Sequence, residues 1–224
     1  MPDHFLVVKK SSLITVFIAI TFICHAQKPQ FGIFAGPQTS SAKYSIEGAE
    51  QPTEYKYGFQ AGLSMKVPFE SHLYFSPAAF YSLKGYKVQF NQYVYPPGLT
   101  VTDNNTTIHC FELAFLLQYD LSKQPDHFFI KLGPTLDFQL KGKEEFHLMN
   151  GDAVSQDMLY DFGAYGRYGA NMLLHLGYET RSGLMIFGQY THGLANINNA
   201  DLGPSIKHRV YGISIGKYFN KKVK

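Results

Sequence analysis

The chain has 224 residues, with 20 Lys or Arg against 17 Asp or Glu, no Trp, 16 Tyr and 19 Phe. A formal charge of only +3, dispersed along the chain, argues against nucleic acid or an acidic substrate as partner. Two cysteines are too few for metal sites built on several thiolates.

The N-terminus reads as a secretory signal. Lys9 and Lys10 supply a positive region, Leu13 to Ile23 an apolar stretch, and Cys24-His25-Ala26 small residues at −3 and −1. Residues 1–26 are therefore expected to be removed before Gln27, leaving one domain over 27–224. A lipoprotein signal at Cys24 is the alternative, against which Ile23 is bulky for a lipobox. Cys110 would then be the single cysteine, which rules out an intramolecular disulfide. Beyond this leader, no segment reaches the ~18 apolar residues of a membrane helix, so a membrane would have to be crossed by strands.

Period-two alternation follows in eight runs: Phe31 to Ser40, Tyr55 to Val67, Leu73 to Phe90, Thr107 to Leu121, His127 to Lys141, Phe162 to Thr180, Leu184 to Asn196 and Lys207 to Phe219. Each meets the ~9–11 residues of a tilted membrane strand. In the second run Tyr57, Phe59, Ala61, Leu63, Met65 and Val67 share a face, against Lys56, Gly58, Gln60, Gly62, Ser64 and Lys66. In the fifth, Phe128 to Leu140 in steps of two oppose Lys131, Gly133, Thr135, Asp137, Gln139 and Lys141. The apolar faces are too bulky for the lumen of a small barrel, and the opposite faces suit a narrow polar interior. Pro134 is expected to mark a bulge. Tyr44, Tyr55, Tyr57, Tyr86, Tyr93, Tyr95, Tyr160, Tyr165, Tyr168 and Tyr218 fall mostly toward strand ends, as interfacial rings do.

The connections alternate. Pro68–His72, Ser122–Asp126 and Arg181–Gly183 are short, whereas Ser41–Glu54, Asn91–Thr106, Gly142–Asp161 and Ile197–Ile206 are long and polar. This order predicts an all-β, eight-stranded antiparallel up-and-down transmembrane barrel with short periplasmic turns and long extracellular loops.

Several segments also resemble a known group. They are Phe31-Gly32-Ile33-Phe34-Ala35-Gly36, Gly58-Phe59-Gln60-Ala61-Gly62-Leu63 and the run Phe75 to Gly85. Phe111 to Tyr119, Lys131-Leu132-Gly133-Pro134 and Gly188 to Ile197 complete the set. Together these are similar to the PorT-like outer-membrane barrels of Bacteroidetes, although Ala114 stands where that family commonly has Pro. The resemblance implies a barrel integral to the outer membrane. It implies no catalytic residues, and in some members a role in secreting surface proteins.

Motifs with a chemical reading are few. Gly212-Ile213-Ser214-Ile215-Gly216 matches G-x-S-x-G, but it sits inside an alternating strand with no following helix. The histidines, His109 and His192 among them, lack metal-ligand spacing. The inward charges Lys84, Glu112, Lys131, Asp137, Arg167 and Glu179, with Lys56 and Lys66, read as an interior network that must pair. Lys84 and Glu112 are expected to face each other across a symmetric hairpin. Tyr93, Tyr95, Pro96 and Pro97 are the expected partner contact, exposing aromatics on a rigid extended turn. The function expected is a non-enzymatic, monomeric outer-membrane barrel acting through its long loops in a surface or secretion assembly. No cofactor, metal or nucleic acid is expected, and the surrounding lipid is its other partner. The alternatives are a lipid-modifying enzyme, for which no His-x-Ser is present, or a small ligand conduit.

Overall fold

A computed structural model describes residues 28–91 and 101–219. The expected leader and the Tyr93, Tyr95, Pro96 and Pro97 loop lie outside the described residues. Eleven strands form a single sheet: β1 (Gln30–Ile46), β2 (Ala49–Gln51), β3 (Thr53–Glu54), β4 (Lys56–Glu70), β5 (Leu73–Gln89), β6 (Val101–Asp120), β7 (His127–Leu148), β8 (Ala153–Asp157), β9 (Tyr168–Glu179), β10 (Leu184–Gly193) and β11 (Ser205–Tyr218). Each long strand pairs antiparallel with its neighbours, and β11 pairs back onto β1 from Gly32↔Tyr218 to Ser45↔Ser205. The sheet therefore closes on eight strands, β1, β4, β5, β6, β7, β9, β10 and β11, and closure removes its edges.

Period two decides which residues line the lumen. Gln60, Ser64 and Lys66 are buried inside β4, while Phe59 and Leu63 are exposed outside, and Tyr57 is 90% exposed. Such a continuous exposed apolar wall has no place in water and suits a bilayer. Aromatic pairs bound it at both heights: Phe128–Tyr178 (ring centroids 4.9 Å apart) at the short-turn end, and Tyr190–Tyr211 (4.9 Å) and Phe138–Tyr168 (5.5 Å) at the other.

Four expectations are corrected. Register is unchanged across Pro134, with Ala114↔Thr135 and Leu117↔Leu132 in phase. The irregularity falls instead where His109↔Lys141 gives way to Cys110↔Gln139, leaving Leu140 as the extra residue. That extra residue turns Lys141 outward, to a side-chain exposure of 66%. The long connections are also partly strand, because β7 runs on to Leu148 and folds back through β8. Finally, Tyr44, Tyr86 and Tyr218 are buried in the lumen rather than placed among headgroups.

Candidate functional site

The lumen is layered from the short-turn end upward. At that end Lys66 Nζ donates to Asp120 (2.7 Å) and Glu179 (2.9 Å), and His127 Nε2 lies 3.1 Å from Asp120. Asp120, His127 and Glu179 bring potential ligand atoms within 4.8 Å of one another. The Lys66 ammonium already rests on both carboxylates and supplies the charge a cation would bring. Above lies an apolar plug of Phe34, Phe80, Leu116, Phe129, Leu173 and Phe187. Inward glycines make room for it: a Cβ on Gly177 would stand 2.5 Å from the Phe129 ring and 2.6 Å from Phe187 Cβ.

Lys131 enters this plug 5.0 Å from the Phe129 ring and donates to the Tyr218 hydroxyl at 3.1 Å. Among the described residues no carboxylate pairs with it. Beside it is an enclosed cavity of about 10 Å³, reached by Ser64, Ser76 and His175. The hydroxyls of those serines and both nitrogens of His175 have no hydrogen-bond partner in the protein. The space is near the lower limit for one water molecule.

The middle layer is polar. Gln60 and Gln189 pair through their amides, and Gln60 Nε2 donates to Ser214 Oγ at 2.8 Å. Lys84 Nζ lies between Glu112 (3.0 Å) and Asp137, and Asn171 Nδ2 donates to Asp137 at 2.7 Å. Glu112 and Asp137 are direct cross-strand partners, but Lys84 opposes Ile108 and Glu112 opposes Phe80. Lys84 therefore reaches Glu112 diagonally, because the β5–β6 hairpin is centred two residues before the point that equal spacing implies.

A second apolar cluster, including Tyr44, Tyr86, Val88, Ile108, Met158 and Ile197, closes the outer half. The segments after β8 and β10 lace together over it, with Gly166 N donating to Ile197 O at 2.7 Å and Asn199 N to Ala164 O at 2.8 Å. Tyr165 donates to Glu144 at 2.6 Å, and burial pushes its phenol well above the ordinary tyrosine range, so it stays a donor.

Arg167 does not belong to the interior set. It is exposed on the outer rim, its guanidinium 5.2 Å from the Tyr160 ring. The run from Phe162 alternates like a strand, yet β9 begins only at Tyr168. Tyr160, Asp161, Phe162, Arg167, Tyr168 and Asn199 bound a cleft of about 260 Å³ there. Phe162 in its wall is 94% exposed, and Leu202, in the connection between β10 and β11, is 90% exposed. No sequence motif marked this cleft, which exists because two distant loops meet.

Ser214 is buried inside β11 and accepts from Gln60 Nε2, so its G-x-S-x-G setting lacks the strand-to-helix elbow of that motif. His109 and His192 face outward and bond the hydroxyls of Tyr81 (2.6 Å) and Tyr190 (3.0 Å).

No curated protein sequence matches the chain. Among solved structures, Ail, the attachment invasion locus protein of Yersinia pestis, is similar at 12% identity and a TM-score of 0.45, over 86% of this chain and 99% of that one. OprG from Pseudomonas aeruginosa gives 15% identity and a TM-score of 0.44, over 86% and 97%. Neisserial surface protein A gives 12% and 0.41, over 84% and 97%. The family model for the outer membrane protein beta-barrel domain matches residues 25–199. This chain belongs to the outer membrane protein beta-barrel domain family and is an integral outer-membrane protein.

Proposed function

We propose that this barrel is a non-conducting, non-enzymatic anchor that presents its outer rim to a protein partner in a surface or secretion assembly, as its resemblance to PorT-like barrels implies. The observation that carries this reading is the filled lumen. Two apolar clusters, two ion-pair layers and an amide layer succeed one another along its length, which leaves solutes no route among the described residues. Chemistry and transport are thereby disfavoured, and contact is displaced to the rim. There the cleft of Tyr160, Phe162 and Tyr168, with Phe162 bare to solvent and Arg167 and Asp161 in its wall, offers an aromatic surface that carries both charges. Tyr93, Tyr95, Pro96 and Pro97 are the second contact proposed, from their sequence alone.

Crosslinking with mass spectrometry in native outer membrane tests this. The wild-type barrel should capture a protein partner through residues 159–168 or 92–100, and Phe162→Ser with Leu202→Ser should lose it while heat-modifiable gel mobility stays normal. Equal capture by the variant barrel would overturn the rim as the contact.

A further inference from the structure

The outward face of β11 changes character at the outer boundary of the apolar wall. Ile215 and Ile213 are exposed, Tyr211 follows, and Arg209 and Lys207 continue the same face. Register places Lys207 directly opposite Lys43 of β1, and Arg209 opposite His192 of β10. Like charges set opposite each other repel. Some other outer cations are answered: Lys43 approaches Glu50, Lys141 approaches Asp157, and His147 meets Asp103. Among the described residues Lys207 and Arg209 have no carboxylate partner.

Directly beneath these two cations the wall is hollow. A groove of about 530 Å³ opens on the lipid face between β1, β9, β10 and β11, with Tyr57, Tyr190 and Tyr211 at its mouth and Leu176 and Ile213 along it. Its volume falls in the ~300–1,000 Å³ range of ligand clefts. Gly188 is its floor, because a Cβ added there would meet nothing nearer than Gly212 O at 4.0 Å. Two unanswered cations at headgroup height and an open apolar groove running down from them have the polarity of an amphiphile with an anionic head.

We propose that this face over β1, β10 and β11 is a binding site for a phosphorylated lipid of the outer leaflet, with Lys207 and Arg209 on the phosphate and an acyl chain in the groove above Gly188. The phosphate relieves the Lys43–Lys207 repulsion, and the tyrosine rings flank the junction of head and chain. Charge complementarity selects this occupant over a second copy of the barrel, which would bring the same cations to the contact.

Native mass spectrometry of the full-length protein tests the proposal, in phosphatidylcholine nanodiscs doped with lipid A or with dephosphorylated lipid A. The wild-type barrel should retain lipid A and not the dephosphorylated form. The pair Lys207→Gln and Arg209→Gln should cut retention about tenfold or more, given the attraction of each basic residue to an anionic surface. Gly188→Leu should cut it similarly by filling the groove, without a fold penalty, since the added side chain enters open space. The control pair Lys141→Gln and Lys143→Gln should retain lipid A as the wild type does. Equal retention of the dephosphorylated lipid, indifference to Gly188→Leu, or displacement of the lipid by inorganic phosphate would each overturn the site.

Discussion

Lys84 and Lys131 are both buried lysines in one lumen, and their surroundings make them opposites. Lys84 serves two carboxylates, so its removal strands Glu112 and Asp137 against each other in a dry interior. Lys84→Met is expected to cost about 3–5 kcal/mol, the range for breaking a buried ion pair from one side. Urea unfolding in detergent micelles measures this, and Glu112→Gln added to Lys84→Met should recover part of the loss. Lys131 has only a hydroxyl and ring faces for company. Lys131→Met should leave stability unchanged or raise it by about 1 kcal/mol or more, since a lone buried charge costs more than a thioether of similar length. A loss as large as that of Lys84→Met would show that Lys131 holds a charge partner in solution. Period two alone made the inward side of Lys84, Glu112, Lys131, Asp137 and Glu179 legible. It did not make their partners legible, because a diagonal reach depends on where each hairpin is centred. Nor did it exclude Arg167, whose neighbours alternate as a strand does but spend their backbone hydrogen bonds on another loop.

At the scale of elements, the eight strands and the alternation of short and long links were readable because each strand needs one face for lipid and one for the lumen. The outer ends were not, because above the bilayer both faces meet water or loop and the alternation loses its driving force. The extra residue in β7 lies at that change. Below Leu140 the inward set is Lys131, Thr135, Asp137 and Gln139, and above it Gly142, Glu144 and Phe146. Were the strand to alternate straight through Leu140 and Lys141 with no bulge, Lys141 and Lys143 would enter the lumen and Glu144 would leave Tyr165 and Asn104, its partners at 2.6 and 3.1 Å. Deleting Leu140 brings Lys141 into its outward place beside Gln139 and leaves Gly142, Glu144 and Phe146 inward, so heat-modifiable mobility and the β7–β8 hairpin are both expected to be kept. Unchanged tryptic cleavage after Lys141 and Lys143 is the measurement. Faster cleavage would mean that the outer extension needs the bulge itself and not only the facing it sets.

At the scale of the whole molecule, the question is whether a closed ring of eight strands leaves a passage. Ring closure fixes a lumen only wide enough for the side chains it contains, and here those side chains include Phe34, Phe80, Phe129 and Phe187 in one layer and Tyr44, Tyr86 and Ile108 in another. The expectation from sequence that large residues would keep to the lipid face overlooked the glycines opposite them. Gly62, Gly177 and Gly216 cede their side-chain volume to inward aromatics, so polar-looking faces enclose an apolar plug. The ion-pair layers do not offset this, since Lys66 and Lys84 are each held by two carboxylates and are not free to hand an ion onward. Purified barrel reconstituted in planar bilayers should accordingly show no unitary conductance in simple salt. Phe34→Ala with Phe187→Ala opens the lower layer only, and the outer cluster capped by Met158 and Ile197 should keep that variant silent as well. Conductance in the double variant but not in the wild type would place the sole barrier at the lower plug. Conductance in the wild type would mean that the two layers part together, and the anchor reading would give way to a conduit.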